Sequence, residues 1–174
     1  MAIANQTNVP HARLACSMVL LLTANAAMAY GEQTIFLLRH AERVEYTSPD
    51  GVLSEAGEAR AQALARLLKD AGVSAIYTTQ LKRTNQTAAP LASALGITPV
   101  VVGGPDSIRA TLDMVRSREK NGAVVIIGHS NTVPAFLKAL GLPGEIKIGE
   151  REHDDLFVIV PAATGPPTVL RLNY

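Results

Sequence analysis

"AVVIIGHSNT" (residues 123–132) is the stretch whose reading decides the fold. From 123 to 128 it is apolar without alternation, the mark of a strand covered on both faces. The run stops at His129, and "TVPAFLKALG" (132–141) continues with helical spacing. A strand buried on both sides and followed at once by a helix predicts a layered α/β architecture.

The rest of the chain repeats this alternation. "TIFLL" (34–38), "VSAIYTT" (73–79) and "ITPVVV" (97–102) read as further strands. In "EAGEARAQALARLLKDAG", Ala61, Leu64, Ala65, Leu67 and Leu68 fall at helical spacing, with Ser54 as N-cap and Gly72 as stop. "LKRTNQTAAPLASALG" is a second helix, which Pro90 should bend and Gly96 should end. "DSIRATLDMVRS" (106–117) is a third, with Asp106 as candidate cap. "DLFVIV" (155–160) and "TVLRLN" (168–173) flank a turn at Gly165-Pro166-Pro167 and suggest an antiparallel edge pair. The expected fold is a three-layer α/β/α sandwich with a mostly parallel central sheet.

The chain has 174 residues, 48% of them hydrophobic and 18% charged, which fits one globular domain and argues against disorder. A formal net charge of +1 gives no reason to expect a nucleic acid or an anionic membrane as partner. The first 29 residues stand apart. They hold no acid, and His11 and Arg13 precede "LACSMVLLLTANAAMA", which ends in Ala27-Met28-Ala29. That is the pattern of a secretory signal peptide cleaved near Ala29. Its apolar run is short for a membrane span, so a retained anchor is the lesser alternative. Cys16 precedes the run, whereas a lipidated cysteine should follow it. The expected mature domain is 30–174, secreted or periplasmic, with no membrane span and no cysteine for a disulfide, a thiol nucleophile or a metal. Oligomeric state is not legible.

In open α/β sheets, ligands bind beyond the carboxyl ends of the strands. Those positions hold Arg39-His40-Ala41-Glu42-Arg43, then Thr78 to Arg83, then Gly103 to Asp106, then Gly128-His129-Ser130-Asn131. Two of the three histidines after Ala29 sit at strand ends, together with several arginines. Arginine presents a rigid fork matched to phosphate oxygens. Neutral histidine can be a nucleophile, and a second, protonated one can balance phosphoryl charge. The set reads as phosphoryl transfer through a phosphohistidine, with no cofactor and no metal required. No H-E-x-x-H or cysteine pair supports a zinc site.

These residues carry a resemblance. "LLRHAER", "YTTQLKRTNQTA" and "VVIIGHSNT" resemble the three signatures of the histidine phosphatase superfamily, the phosphoglycerate mutase-like fold. "LSEAG" (53–57) resembles that family's helix start. The resemblance implies that His40 is the transiently phosphorylated nucleophile. It makes Arg39 and Arg83 phosphate clamps, His129 the second pocket histidine and Arg43 a further guanidinium. The general acid is less defined: Asp106 is favoured, and Glu42 could equally be a structural partner of an arginine. A phosphorylated small molecule or a phosphoprotein is the implied substrate.

Two other classes compete. Ser130 stands where a G-x-S-x-G hydrolase has its nucleophile, but Thr132 replaces the second glycine and no histidine follows His153 to complete the triad order. A non-catalytic anion-binding module would retain the cations without turnover. A mutase is disfavoured by the expected export. His153, in the charged run "EREHDD", reads as part of a solvated face and receives no role.

Overall fold

The computed structural model describes residues 33–44, 50–104, 106–118, 122–142, 144–162 and 164–174. The segment expected to be a signal peptide lies outside them. The elements are β1 (Thr34–Arg39), α1 (Glu55–Leu68), β2 (Val73–Thr78), α2 (Lys82–Leu95) and β3 (Val100–Val101). They continue with α3 (Ser107–Arg118), β4 (Ala123–Gly128), α4 (Thr132–Ala139), β5 (Asp155–Val160) and β6 (Thr168–Asn173). The six strands form one sheet in the order β3-β2-β4-β1-β5-β6. β3, β2, β4 and β1 run parallel, and β5 is antiparallel to both β1 and β6.

All six residues of β4 are buried, as the unbroken apolar run requires. Val125 and Ile127 face α1 and α2, packing with Leu38, Leu64, Leu68, Ala88 and Leu91. Val124 and Ile126 face α3 and α4, packing with Leu37, Leu112, Val133 and Phe136. Burying each such large aliphatic side chain contributes about 1.5–3 kcal/mol. Helices therefore cover both faces, and the expected sandwich is the observed one.

One local reading differs. The third strand was expected over 97–102 but pairs only at Val100–Val101. The Ile97 N–H instead donates to Ala92 O and closes α2, where Gly96 adopts φ 65°, and Pro99 has no N–H to offer a ladder. The second helix continues through Pro90 to Leu95. The far edge of the sheet is β6, where Leu170 and Leu172 are half exposed.

β1 and β4 are neighbours, with Arg39 opposite Gly128 in register. Residues that are 89 apart in sequence, His40 and His129, therefore leave the same sheet edge side by side. That adjacency follows from the crossover order and places the site.

Candidate active site

His40 is 4% exposed. Its N–H donates to Gly128 O (2.9 Å), and the next N–H, of Ala41, donates to Thr87 Oγ1 (3.0 Å). The His40 ring bonds through Nδ1 to Ala41 O (2.8 Å). A carbonyl oxygen can only accept, so Nδ1 carries the proton and Nε2 keeps its lone pair. Burial pushes the His40 pKa down to about 3. The Ala41 bond works against that shift, whereas Arg83, His129 and Arg39 reinforce it. His40 is thus a neutral imidazole at ordinary pH, with the tautomer a nucleophile needs.

His129 lies 5.3 Å from His40 between ring centroids, edge to face. Arg83 Nη2 approaches His129 Nδ1 at 3.4 Å. Guanidinium cannot accept, so Nδ1 is the acceptor and Nε2–H donates to Thr79 Oγ1 (3.1 Å). The Leu81 N–H also donates to Thr79 Oγ1, which turns that hydroxyl's own proton toward Thr84 Oγ1 (3.0 Å). Thr84 in turn donates to Leu81 O (2.8 Å). The first turn of α2 and the end of β2 thereby fix the imidazole. Burial, followed by Arg83 and Arg39, lowers the His129 pKa to about 4. With no anion bound, burial first and the neighbouring guanidiniums second hold His129 neutral.

Arg39 is 6% exposed, and its Nη1 donates to Gly149 O (2.6 Å) and Glu152 O (3.2 Å). Arg83 is pushed below its ordinary pKa by burial and by Arg43, while Asp50 pulls the other way. Arg39, Arg43 and Arg83 therefore act on one another electrostatically and make the mouth of the site positive. Arg43 itself is held by a bridge to Leu53.

Glu42 turns away from the reacting pair. Its carboxylate takes both Arg60 Nε (2.9 Å to each oxygen) and Arg60 Nη2 (2.7 Å). Burial alone would raise its pKa, but the Arg60 hydrogen bonds outweigh it and hold the carboxyl below its ordinary value. Arg60 also donates to Tyr174 O (2.6 Å). The Glu42 backbone meets α1 closely: Ser54 N donates to Glu42 O (3.0 Å), and a Cβ on Gly57 would collide with that same oxygen. Ser54 caps α1 through Gly57 N (3.2 Å). The "LSEAG" stretch is thus explained by a close helix–loop approach that only glycine allows.

Asp106 is exposed and precedes α3, lining a hollow with Ile108, Arg109, Leu112, Arg116 and Ala139. Among the described residues no hydrogen bond or ion pair joins it to the histidines or their arginines.

The residue that sequence reasoning passed over is His153. It is 8% exposed, its ring centroid is 5.5 Å from that of His40, and its Nδ1–H donates to His40 O (2.8 Å). The charged run around it is no uniform solvated face: Asp155, two residues on, is 2% exposed. In a parallel sheet, site residues follow strands. His153 precedes β5, but β5 runs antiparallel, so its amino end reaches the edge where β1 and β4 finish. The sequence reading paired 155–160 only with 168–173, and the antiparallel pairing with β1 that places His153 carries no local signal.

The sheet edge thus gathers a histidine pair and several arginines in a mostly parallel α/β fold. Residues 35–103 match the family model described as histidine phosphatase superfamily, branch 1. A curated relative, the PE-PGRS family protein PE_PGRS11 of Mycobacterium tuberculosis, is 43% identical over 68 residues. That match takes in 38% of this chain but only 12% of the relative's length. Among solved structures, the protein histidine phosphatase SixA complexed with tungstate superposes with TM-score 0.64 at 16% identity, covering 81% of this chain and 97% of that one. Mycobacterial glucosyl-3-phosphoglycerate phosphatase gives TM-score 0.61 at 16% identity, covering 82% and 98%. At such identities the likeness is one of fold, which is phosphoglycerate mutase-like.

Proposed function

We propose that this chain is a metal-independent phosphatase that hydrolyses a phosphomonoester or phosphoramidate through a phosphohistidine on His40. The observation that carries the reading is the neutral, Nδ1-protonated His40 set 5.3 Å from His129, ring centroid to ring centroid. The Nε2 lone pair attacks phosphorus in line, and the leaving oxygen or nitrogen departs with a proton. Arg39, Arg83 and His129 hold the equatorial oxygens, with Arg43 adding positive field at the rim. Arrival of a phosphoryl anion gives the Arg83 guanidinium a better partner than His129 Nδ1, which then becomes free to take a proton and donate to the same anion. Water cleaves phospho-His40 and restores the imidazole.

The leaving-group acid is assigned to Asp106, since Glu42 is committed to Arg60. The substrate is a phosphorylated small molecule or a phosphoprotein; both classes occur among the phosphatases this chain resembles in fold. The N-terminal pattern supports export, with work outside the cytoplasm. Among the described residues no helix is long and apolar enough to cross a membrane.

The serine-hydrolase alternative is weaker: among the described residues no hydrogen bond links Ser130 to a histidine. The test is turnover of an aryl phosphate by the purified protein with and without chelator. Activity should survive the chelator, disappear in His40→Ala, and leave acid-labile phosphate on the wild type after a rapid quench. Full activity in His40→Ala would end this reading. Labelling without turnover would leave the anion-binding module in its place.

A further inference from the structure

We infer that His153 is a positioning residue for the nucleophile, acting through the main chain of His40, and that residues 149–153 form the clamp that aligns the Arg39-His40 pair. The inference rests on the phosphohistidine reading given above and names a residue that the sequence signatures leave out.

The clamp contacts both members of the pair with opposite polarity. Carbonyls of Gly149 and Glu152 accept from the Arg39 guanidinium, while the His153 imidazole donates to the His40 carbonyl at 2.8 Å. The segment is closed on itself: Glu152 N donates to Gly149 O (3.1 Å), and Gly149 N donates to the Glu152 carboxylate (3.0 Å). Its carbonyls are therefore aimed before any substrate arrives.

The backbone around His40 then has three fixed points. They are Gly128 O on the His40 N–H, Thr87 Oγ1 on the Ala41 N–H, and His153 Nδ1 on the His40 carbonyl. The first two come from β4 and α2. The Ala41 N–H and the His40 carbonyl belong to one peptide plane, so Thr87 and His153 hold its two edges, and His153 is the anchor from the β5 side. That plane matters because it leads directly into the next one, whose Ala41 carbonyl orients the His40 ring. A tilt there moves Nε2 relative to the arginine clamps, and misplacement by about 1 Å costs on the order of 100-fold in rate. Burial lowers the His153 pKa, the bond to His40 O opposes it, and the facing groups Arg39, Glu42 and Arg60 pull both ways; the neutral ring protonated on Nδ1 suffices as donor.

Two substitutions test the role. His153→Phe keeps the ring volume and removes the donor. His153→Asn replaces Nδ1–H with an amide N–H at a similar reach. With an aryl phosphate, His153→Phe should lower kcat by about 10-fold or more with KM changed less than about 3-fold, and its burst of phosphoenzyme should form more slowly. His153→Asn should recover most of that rate. Melting temperatures of both should be compared, since a structural role would lower activity and stability together in either variant. Equal loss in both variants overturns the donor role, as does a wild-type rate in His153→Phe. In those cases an active wild type silenced by His40→Ala leaves the phosphohistidine reading intact. Activity that survives His40→Ala overturns both.

Discussion

Glu42, the carboxylate nearest His40 in sequence, is bound on both oxygens by Arg60 and anchors the loop after β1 to α1. A carboxyl held below its ordinary pKa is a poor proton donor near neutrality. Glu42→Gln and Asp106→Asn should therefore part company. Asp106→Asn should slow an alkyl phosphate far more than an aryl phosphate, because only the poor leaving group needs an acid. Glu42→Gln should affect both substrates alike and lower stability by about 1 kcal/mol, the scale of a partly exposed pair. A leaving-group effect confined to Glu42→Gln would reverse the assignment. At this scale the sequence was legible where chemistry dictates residue type. Arg39, His40 and His129 fall at strand ends and Arg83 in the first turn of α2, and the structure brings them to one sheet edge. The partner of Glu42 was not legible, because Arg60 sits on a helix face set by packing of α1 on the sheet, which no local pattern encodes.

Among the elements, β6 contributes more to the site than its place at the sheet edge suggests. Arg171 on β6 holds buried Asp155 with two bonds of 2.7 Å and lies 3.7 Å from Glu152, the residue that closes the 149–153 segment. Arg171→Ala leaves the Asp155 carboxylate without this partner and should cost about 1–3 kcal/mol, measured as a lowered denaturant midpoint. Aryl phosphate turnover should fall with it as the segment loosens. Unchanged turnover at lowered stability would uncouple the brace from the site. β4, β5 and β6 were read from their apolar content with the boundaries that the structure has. β3 was not, because the Ile97 N–H serves the end of α2 and a helix cap outcompetes a marginal edge strand. His153 was missed through strand direction: an antiparallel β5 brings its preceding loop, rather than its following one, to the catalytic edge.

Over the whole molecule, three histidines held below their ordinary pKa, His40, His129 and His153, make stability depend on pH. The pKa values of His40 and His129, about 3 and about 4, lie below the ordinary 6.5. Below pH 6.5 the unfolded chain therefore binds protons that the folded one refuses. Stability should be level above that point and fall as pH drops, until the folded values are reached. The slope is at most about 1.4 kcal/mol per pH unit for each proton, and less for His129, which water partly screens. Denaturant melts at pH 8, 6.5 and 5 should show loss only between the last two. Over the same range kcat/KM should stay flat once substrate ionisation, with a pKa near 6, is allowed for. A residual acid limb near pH 6.5 would mean that His40 titrates like a free imidazole.

The two margins of the sheet are unequal, and that asymmetry bears on how the protein behaves in concentrated solution. β3 ends one margin with two paired residues, too few to template another chain. β6 ends the other with six residues and half-exposed Leu170 and Leu172. An edge of that length and apolarity invites strand addition by a like molecule, and a charge within it opposes such growth. Arg171 sits between the two leucines. The guanidinium that steadies the catalytic loop is thus also the gatekeeper of colloidal behaviour, and losing it removes both safeguards together.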